Sequence, residues 1–130
     1  MPKAPLISIV DDDEEVREAT RGLVRSLGYA AEAFASAKEF LASNRIHETS
    51  CVITDLHMPG MSGIDLQDRL IVDGHRVPII FITAFPDDRV RTRAMNAGAV
   101  CFMSKPYSED HLINCLETAL SGQHGGSAKR

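Results

Sequence analysis

The chain has 130 residues, 44% of them hydrophobic and 25% charged, with a formal net charge of −4. That length fits one domain, which at this size buries roughly two-thirds of its extended-chain surface and needs no staples. The acidic balance argues against a nucleic-acid surface on this segment, and no apolar run approaches the ~18–20 residues of a membrane span. The three cysteines, Cys51, Cys101 and Cys115, form no CxxC pair, and no signal peptide is present. They read as reduced thiols of a cytoplasmic protein, and Cys51 and Cys101, which open strand-like runs, as small buried hydrophobes rather than catalytic or redox thiols.

Strand-like and helix-like patterns alternate along the chain. Leu6 to Val10 is an apolar run and predicts a strand; Val16, Ala19, Leu23, Val24 and Leu27 then recur at helical spacing up to Gly28, a natural stop. Tyr29 to Ala35 alternates weakly, as an outer strand does. Ser36 and Glu39 have the spacing of a capping box opening a second helix through Phe40 and Leu41. Cys51 to Thr54 predicts the third strand, and Ile64, Leu66, Leu70 and Ile71 a third helix ending near Gly74. Pro78 precedes the fourth strand, Ile79 to Ile82; Asp87 or Asp88 caps a fourth helix that ends at Gly98. Ala99 to Met103 is the fifth strand, and Ser108 caps a last helix carrying His111, Leu112, Leu116, Ala119 and Leu120. Residues 1–121 thus form one domain, and the Gly/Ser-rich residues 122–130 read as a flexible tail or linker.

Five such alternations predict an α/β fold, a parallel sheet with right-handed crossovers and helices on both faces. The continuous apolar strands, the first, third and fourth, belong at the centre, where both faces are buried. Ligands of open parallel sheets sit beyond the carboxyl ends of the strands. The polar residues collect there: Asp11 and Asp12 after the first strand, Asp55 after the third, Thr83 after the fourth and Lys105 after the fifth.

Crowded carboxylates repel, and a hard divalent cation relieves them. Mg2+ takes one or two carboxylates, phosphate oxygens and waters, so Asp12 and Asp55 are the expected direct ligands, Asp11 a ligand through water, and the His57 backbone carbonyl a further oxygen. Without metal, the crowding raises the pKa of at least one of these acids. Asp55 has the chemistry of a carboxylate nucleophile that passes through an aspartyl-phosphate. Lys105 offers an ammonium and Thr83 a hydroxyl to phosphate oxygens, and Pro106 offers the option of a cis Lys105–Pro106 bond.

Over residues 5 to 121 the sequence resembles the receiver domain of two-component response regulators. The resemblance is carried by Val10-Asp11-Asp12, Asp55 with Met58-Pro59-Gly60 and Gly63, Thr83-Ala84 and Lys105-Pro106; the text around Asp55 and Ala97 to Phe102 is most similar to the FixJ-type branch. It implies a flavodoxin-like, CheY-like three-layer sandwich with a five-stranded parallel sheet of order 2-1-3-4-5 and five helices. It also implies a phosphoryl group accepted on Asp55 from a sensor histidine kinase, Asp11 and Asp12 as metal-binding acids, Thr83 as switch hydroxyl, Lys105 as phosphate contact, and Phe102 as a rotating aromatic.

On that reading the domain is a regulatory switch, no enzyme beyond assisting its own phosphorylation and dephosphorylation. The surface of helix 4, strand 5 and helix 5 changes and controls a homodimer or an output that is transcriptional in this branch. DNA is then bound only through an output domain absent from this chain. Arg89, Arg91 and Arg93 of helix 4 are candidate dimer or partner contacts, to which Glu109, Asp110 and Glu117 of helix 5 are complementary in charge. The alternatives are a stand-alone receiver acting by protein–protein binding and an aspartyl-phosphate phosphohydrolase. The second lacks an acid two residues after the nucleophile, where His57 stands, and neither GxGxxG nor GKS/GKT is present for nucleotide binding.

Overall fold

In the computed structural model, which describes residues 4–125, the elements run β1 (Leu6–Val10), α1 (Glu14–Ser26), β2 (Ala30–Phe34), α2 (Ala37–Ala42), a 3-10 turn (Ile46–Glu48), β3 (Thr49–Asp55), α3 (Gly63–Val72), β4 (Ile79–Thr83), α4 (Asp88–Asn96), β5 (Cys101–Ser104) and α5 (Glu109–Gly125). All strand pairs are parallel, in the order β2-β1-β3-β4-β5. The central strands bury both faces. Ile7, Ile9, Cys51, Ile53, Ile80 and Ile82 pack with Val24 of α1 and Leu112, Leu116 and Ala119 of α5. Val10, Val52, Ile79 and Phe81 pack on the other face with Phe40 of α2, Leu66 and Leu70 of α3 and Ala94 of α4. This period-2 division of one apolar run between two cores is why these strands show no polar alternation.

The helix ends are set locally. Asp13 accepts the Glu15 and Val16 N–H groups at 3.0 and 3.3 Å, and Asp87, not Asp88, caps α4 through the Arg89 N–H at 2.8 Å. Ser108 accepts the His111 N–H at 3.1 Å, as the sequence predicts. Ser36 accepts the Glu39 N–H at 3.1 Å, but the Glu39 carboxylate turns to the N–H of Ala35, one residue further out than a capping box requires. The full box forms instead between Ser62 and Asp65 at the head of α3. Gly98 ends α4 at φ 108°, a left-handed position natural to glycine, so the Ala99 N–H reaches back to the Ala94 carbonyl at 3.1 Å. Ala99 is spent on that turn, the Val100 N–H already donates to the Ile79 carbonyl of β4 at 2.8 Å, and β5 begins at Cys101 rather than at Ala99.

One expectation is corrected. Cys101 and Cys115 are joined as a disulfide, and only Cys51, buried between the central strands, is a free thiol. The partners are 14 residues apart with Cα atoms 6.2 Å apart, within disulfide reach. Packing of α5 beneath β5 creates this proximity, and no local spacing announces it. The last helix continues through Gly125, into the segment read as a tail; residues 126–130 of that segment lie outside the described residues. Among the described residues no helix is long and apolar enough to cross a membrane.

Candidate functional site

Parallel strands end on a common edge, and that edge collects the acids. Asp55 is the last residue of β3 and Asp11 the first after β1; they are 6% and 3% exposed. Asp12 is exposed. One carboxylate oxygen from each of Asp11, Asp12 and Asp55 lies within 4.8 Å of the others. The loop after β5 sends Lys105 into this cluster, where Nζ stands 3.1 Å from Asp11 Oδ2 and 3.2 Å from Asp55 Oδ2. The Lys105–Pro106 peptide bond is cis, and the Lys105 N–H donates to the Thr83 carbonyl at 2.8 Å.

The remaining oxygens of the two buried acids are held by the backbone. Asp11 Oδ1 accepts the Asp13 N–H at 2.9 Å, and Asp55 Oδ1 accepts the His57 N–H at 3.3 Å. Both oxygens of Asp11 are therefore engaged, whereas Asp12 makes no hydrogen bond or ion pair among the described residues. Burial, assisted by the Asp55 charge, raises the Asp11 pKa above the ordinary carboxylate value, while the Asp13 N–H and Lys105 work against the rise. Burial also opposes the Lys105 charge, but the Asp11 and Asp55 carboxylates together outweigh it and raise the ammonium pKa. An oxygen-only set of three carboxylates with one exposed member suits a hard divalent cation with retained waters.

Gly63 allows α3 to start against the end of β3. A Cβ there would collide with the Asp55 carbonyl oxygen and stand 3.1 Å from Leu56 Cα, and the Gly63 N–H donates to the Leu56 carbonyl at 2.9 Å. The loop of residues 56–62 is thereby closed on itself beside Asp55. Thr83 is fully buried, its Oγ1 accepting the Phe85 N–H at 3.0 Å. Phe102 lies on the same face of the sheet, paired in register with Phe81, the two ring centroids 6.2 Å apart. It is half-buried against the core beneath α4.

Two features of the site escaped the sequence reading. Phe85 is 72% exposed, and its ring meets that of His57, two residues past Asp55, edge-on at 6.0 Å. An apolar residue in a loop right after Thr83-Ala84 was the available signal. An apolar cleft of about 410 Å3 adjoins Lys105, lined by Val16, Ala19 and Leu23 of α1 with Pro106 and Tyr107. The Tyr107 hydroxyl shares a 2.7 Å hydrogen bond with Thr20, a link over 87 residues that no local pattern carries.

A 2-1-3-4-5 parallel sheet with three acids, a lysine and a buried threonine at one edge defines a receiver-type signalling module. Residues 7–117 match the response regulator receiver domain family, and the chain belongs to it. It is 42% identical over 118 residues to the response regulator protein TodT of Pseudomonas putida, covering 91% of this chain and 52% of TodT. It is 32% identical over 120 residues to the transcriptional regulatory protein FixJ of Azorhizobium caulinodans, covering 92% of this chain and 57% of FixJ. The chain thus spans about half the length of the curated relatives it matches. The response regulator StyR superposes with a TM-score of 0.84 at 43% identity, over 91% of this chain and 60% of StyR. FixJ-N superposes at 0.81 and 34%, over 92% and 96%.

Proposed function

We propose that Asp55 accepts a phosphoryl group from the phosphohistidine of a sensor histidine kinase, in a reaction that requires Mg2+, and that the phosphorylated domain controls a dimer or a transcriptional output. The observation that carries this reading is the setting of Asp55. It is a strand-end carboxylate bounded by an ammonium at 3.2 Å, a backbone N–H at 3.3 Å and two further acids.

In the proposed step a carboxylate oxygen of Asp55 attacks phosphorus, a P–O bond forms and the P–N bond to imidazole breaks. Mg2+, held by Asp12, Asp55, the His57 carbonyl and, through water, Asp11, would neutralise charge on the transferring group. Lys105, whose Nζ already stands 3.2 Å from Asp55 Oδ2, would pass to a phosphoryl oxygen on Asp55. Thr83 would exchange the Phe85 N–H for a phosphoryl oxygen, and Phe102 would turn into the space released. The new group adds about −1.5 to −2 charges at pH 7.

The names of FixJ and of the transcriptional regulatory protein TdiR of Thauera aromatica support a transcriptional output, which would lie in sequence beyond this receiver. On the α4–β5–α5 face, Arg93 is taken up by Asp68 of α3 at 2.8 Å. Arg89 and Arg91 are therefore the arginines offered to a second copy.

The test is intact mass after incubation with acetyl phosphate, with and without Mg2+, beside Asp55→Asn. One phosphoryl adduct that needs both Mg2+ and Asp55 is expected. An adduct that survives in Asp55→Asn would move the acceptor elsewhere. No adduct, even with kinase supplied, would reduce the domain to a scaffold.

A further inference from the structure

We propose that Cys101 and Cys115 form a reversible thiol–disulfide modification site that locks β5 to α5, and so gives the switch a second, oxidative input. The coupling to the switch rests on the function proposed above; the modification site does not. Cys101 opens β5, an edge strand that pairs only with β4, and is half-buried. Cys115 lies in the middle of α5, 2% exposed, with its sulfur 3.8 Å from Met103 Sδ. Their bond joins β5 to α5, two elements that share no backbone hydrogen bond among the described residues. Cys101 directly precedes Phe102 in β5 but turns to the opposite face of the sheet, toward α5, so the bond tethers from behind the strand that carries Phe102.

The third thiol serves as an internal reference. Cys51 is fully buried, and burial pushes its pKa up to about 12, so it is thiol and inert at neutral pH. Oxidation of the pair by a low-molecular-weight disulfide proceeds by two exchanges. The half-buried Cys101, as thiolate, attacks one sulfur of the oxidant and expels one thiolate. Cys115, as thiolate, then attacks Cys101 sulfur in the mixed disulfide and expels the second. Two protein thiols lose two electrons, the oxidant gains them as two thiols, and the two protons pass to those thiols. The reverse begins by thiolate attack at Cys101, the more accessible sulfur. A receiver fed by a kinase works where thiol pools reduce such bonds, and disulfides found there are mostly transient.

The full chain is equilibrated in glutathione buffers of graded ratio, quenched with acid, denatured and labelled with a maleimide. Intact mass should move from three labels in reducing buffer to one in oxidising buffer, with the retained label on Cys51. Amide hydrogen exchange is then followed in both states, where β5 and the neighbouring turn of α5 should exchange at least about fivefold more slowly when oxidised. Cys101→Ser and Cys115→Ser should each abolish the difference; Cys101, being half-buried, is the safer variant for folding. Three labels at every ratio would overturn the site, as would a bond that reducing glutathione cannot open. Equal exchange in the two states would overturn the lock. Absence of a phosphoryl adduct in either state would defeat the phosphoacceptor reading and leave the labelling and exchange results standing.

Discussion

A single ammonium, Lys105 Nζ, bridges Asp11 Oδ2 at 3.1 Å and Asp55 Oδ2 at 3.2 Å. Three chain segments far apart in sequence, the ends of β1 and β3 and the loop after β5, therefore meet at one charge. The pair is more than a surface ion pair because both acids are almost fully buried and an unpaired buried charge is costly. The lysine also lies where a phosphoryl group on Asp55 would need compensation.

Lys105→Met should lower the unfolding free energy at pH 7 by about 1–3 kcal/mol, the scale of a hydrogen bond to a charged group. The lysine's folded-state pKa is raised. Its contribution is therefore fully present below the ordinary lysine value, about 10.4, and is lost as pH rises through the folded value. Urea unfolding at pH 7, 9 and 11 checks this. The wild type should lose more stability than the variant between the last two, and parallel losses would refute the assignment.

Asp11→Asn separates burial from metal binding. The Asp11 pKa is raised, so the native state favours the protonated acid, and stability falls as pH rises from the ordinary carboxylate range through the folded value. Without metal, the neutral amide should therefore raise the thermal midpoint at pH 7, with the gain vanishing below the carboxylate range. With metal, the same change should weaken Mg2+ binding about 10–100-fold. Thermal shifts across a Mg2+ titration measure both. A variant less stable without metal, or one with unaltered Mg2+ affinity, would contradict this account.

Gly63→Ala should cost about 1–3 kcal/mol, the range for forcing extra atoms into a packed site, because the new methyl collides with the Asp55 carbonyl. Phosphoryl uptake should fall as well, since the collision displaces the backbone that carries the carboxylate. Gly22, with nothing within 4 Å of a built Cβ, is the control; there alanine should be neutral or stabilising, as expected inside a helix. Equal effects at the two positions would refute the steric argument.

Thr83→Ala removes the acceptor of the Phe85 N–H and should destabilise the resting domain by about 1 kcal/mol. In the proposed mechanism it leaves Asp55 able to take a phosphoryl group but uncouples the surface change. Intact mass should show near-normal uptake, and sedimentation of the phosphorylated chain should show a weakened dimer. Normal dimerisation would remove Thr83 from the switch.

The strands, their central or outer placement and the edge that bears the acids were legible because each depends on local pattern. Runs such as Ile79 to Ile82 are apolar at every position only if both faces are buried, and Asp11, Asp55, Thr83 and Lys105 each stand within two residues of the end of a mainly apolar run. Boundaries were less legible where neighbours compete. Asp87 and Asp88 are chemically equal caps, and only the path of the β4–α4 loop selects Asp87. The Ala99-Val100 pair is as strand-like as the residues after it, but the turn at Gly98 draws the Ala99 N–H back onto α4 before the strand begins.

By itself the sequence determined the alternation of elements, the parallel sheet and the chemistry gathered at one edge, since hydrophobic periodicity and strand-end residues are short-range signals. Only the tertiary structure decided the contacts between distant segments. These are the Lys105 bridge from Asp11 to Asp55, the Tyr107–Thr20 bond, the edge-on meeting of His57 and Phe85, and the pairing of Cys101 with Cys115. Each arises because sheet register and helix packing bring together residues whose separation along the chain carries no trace of their distance in space.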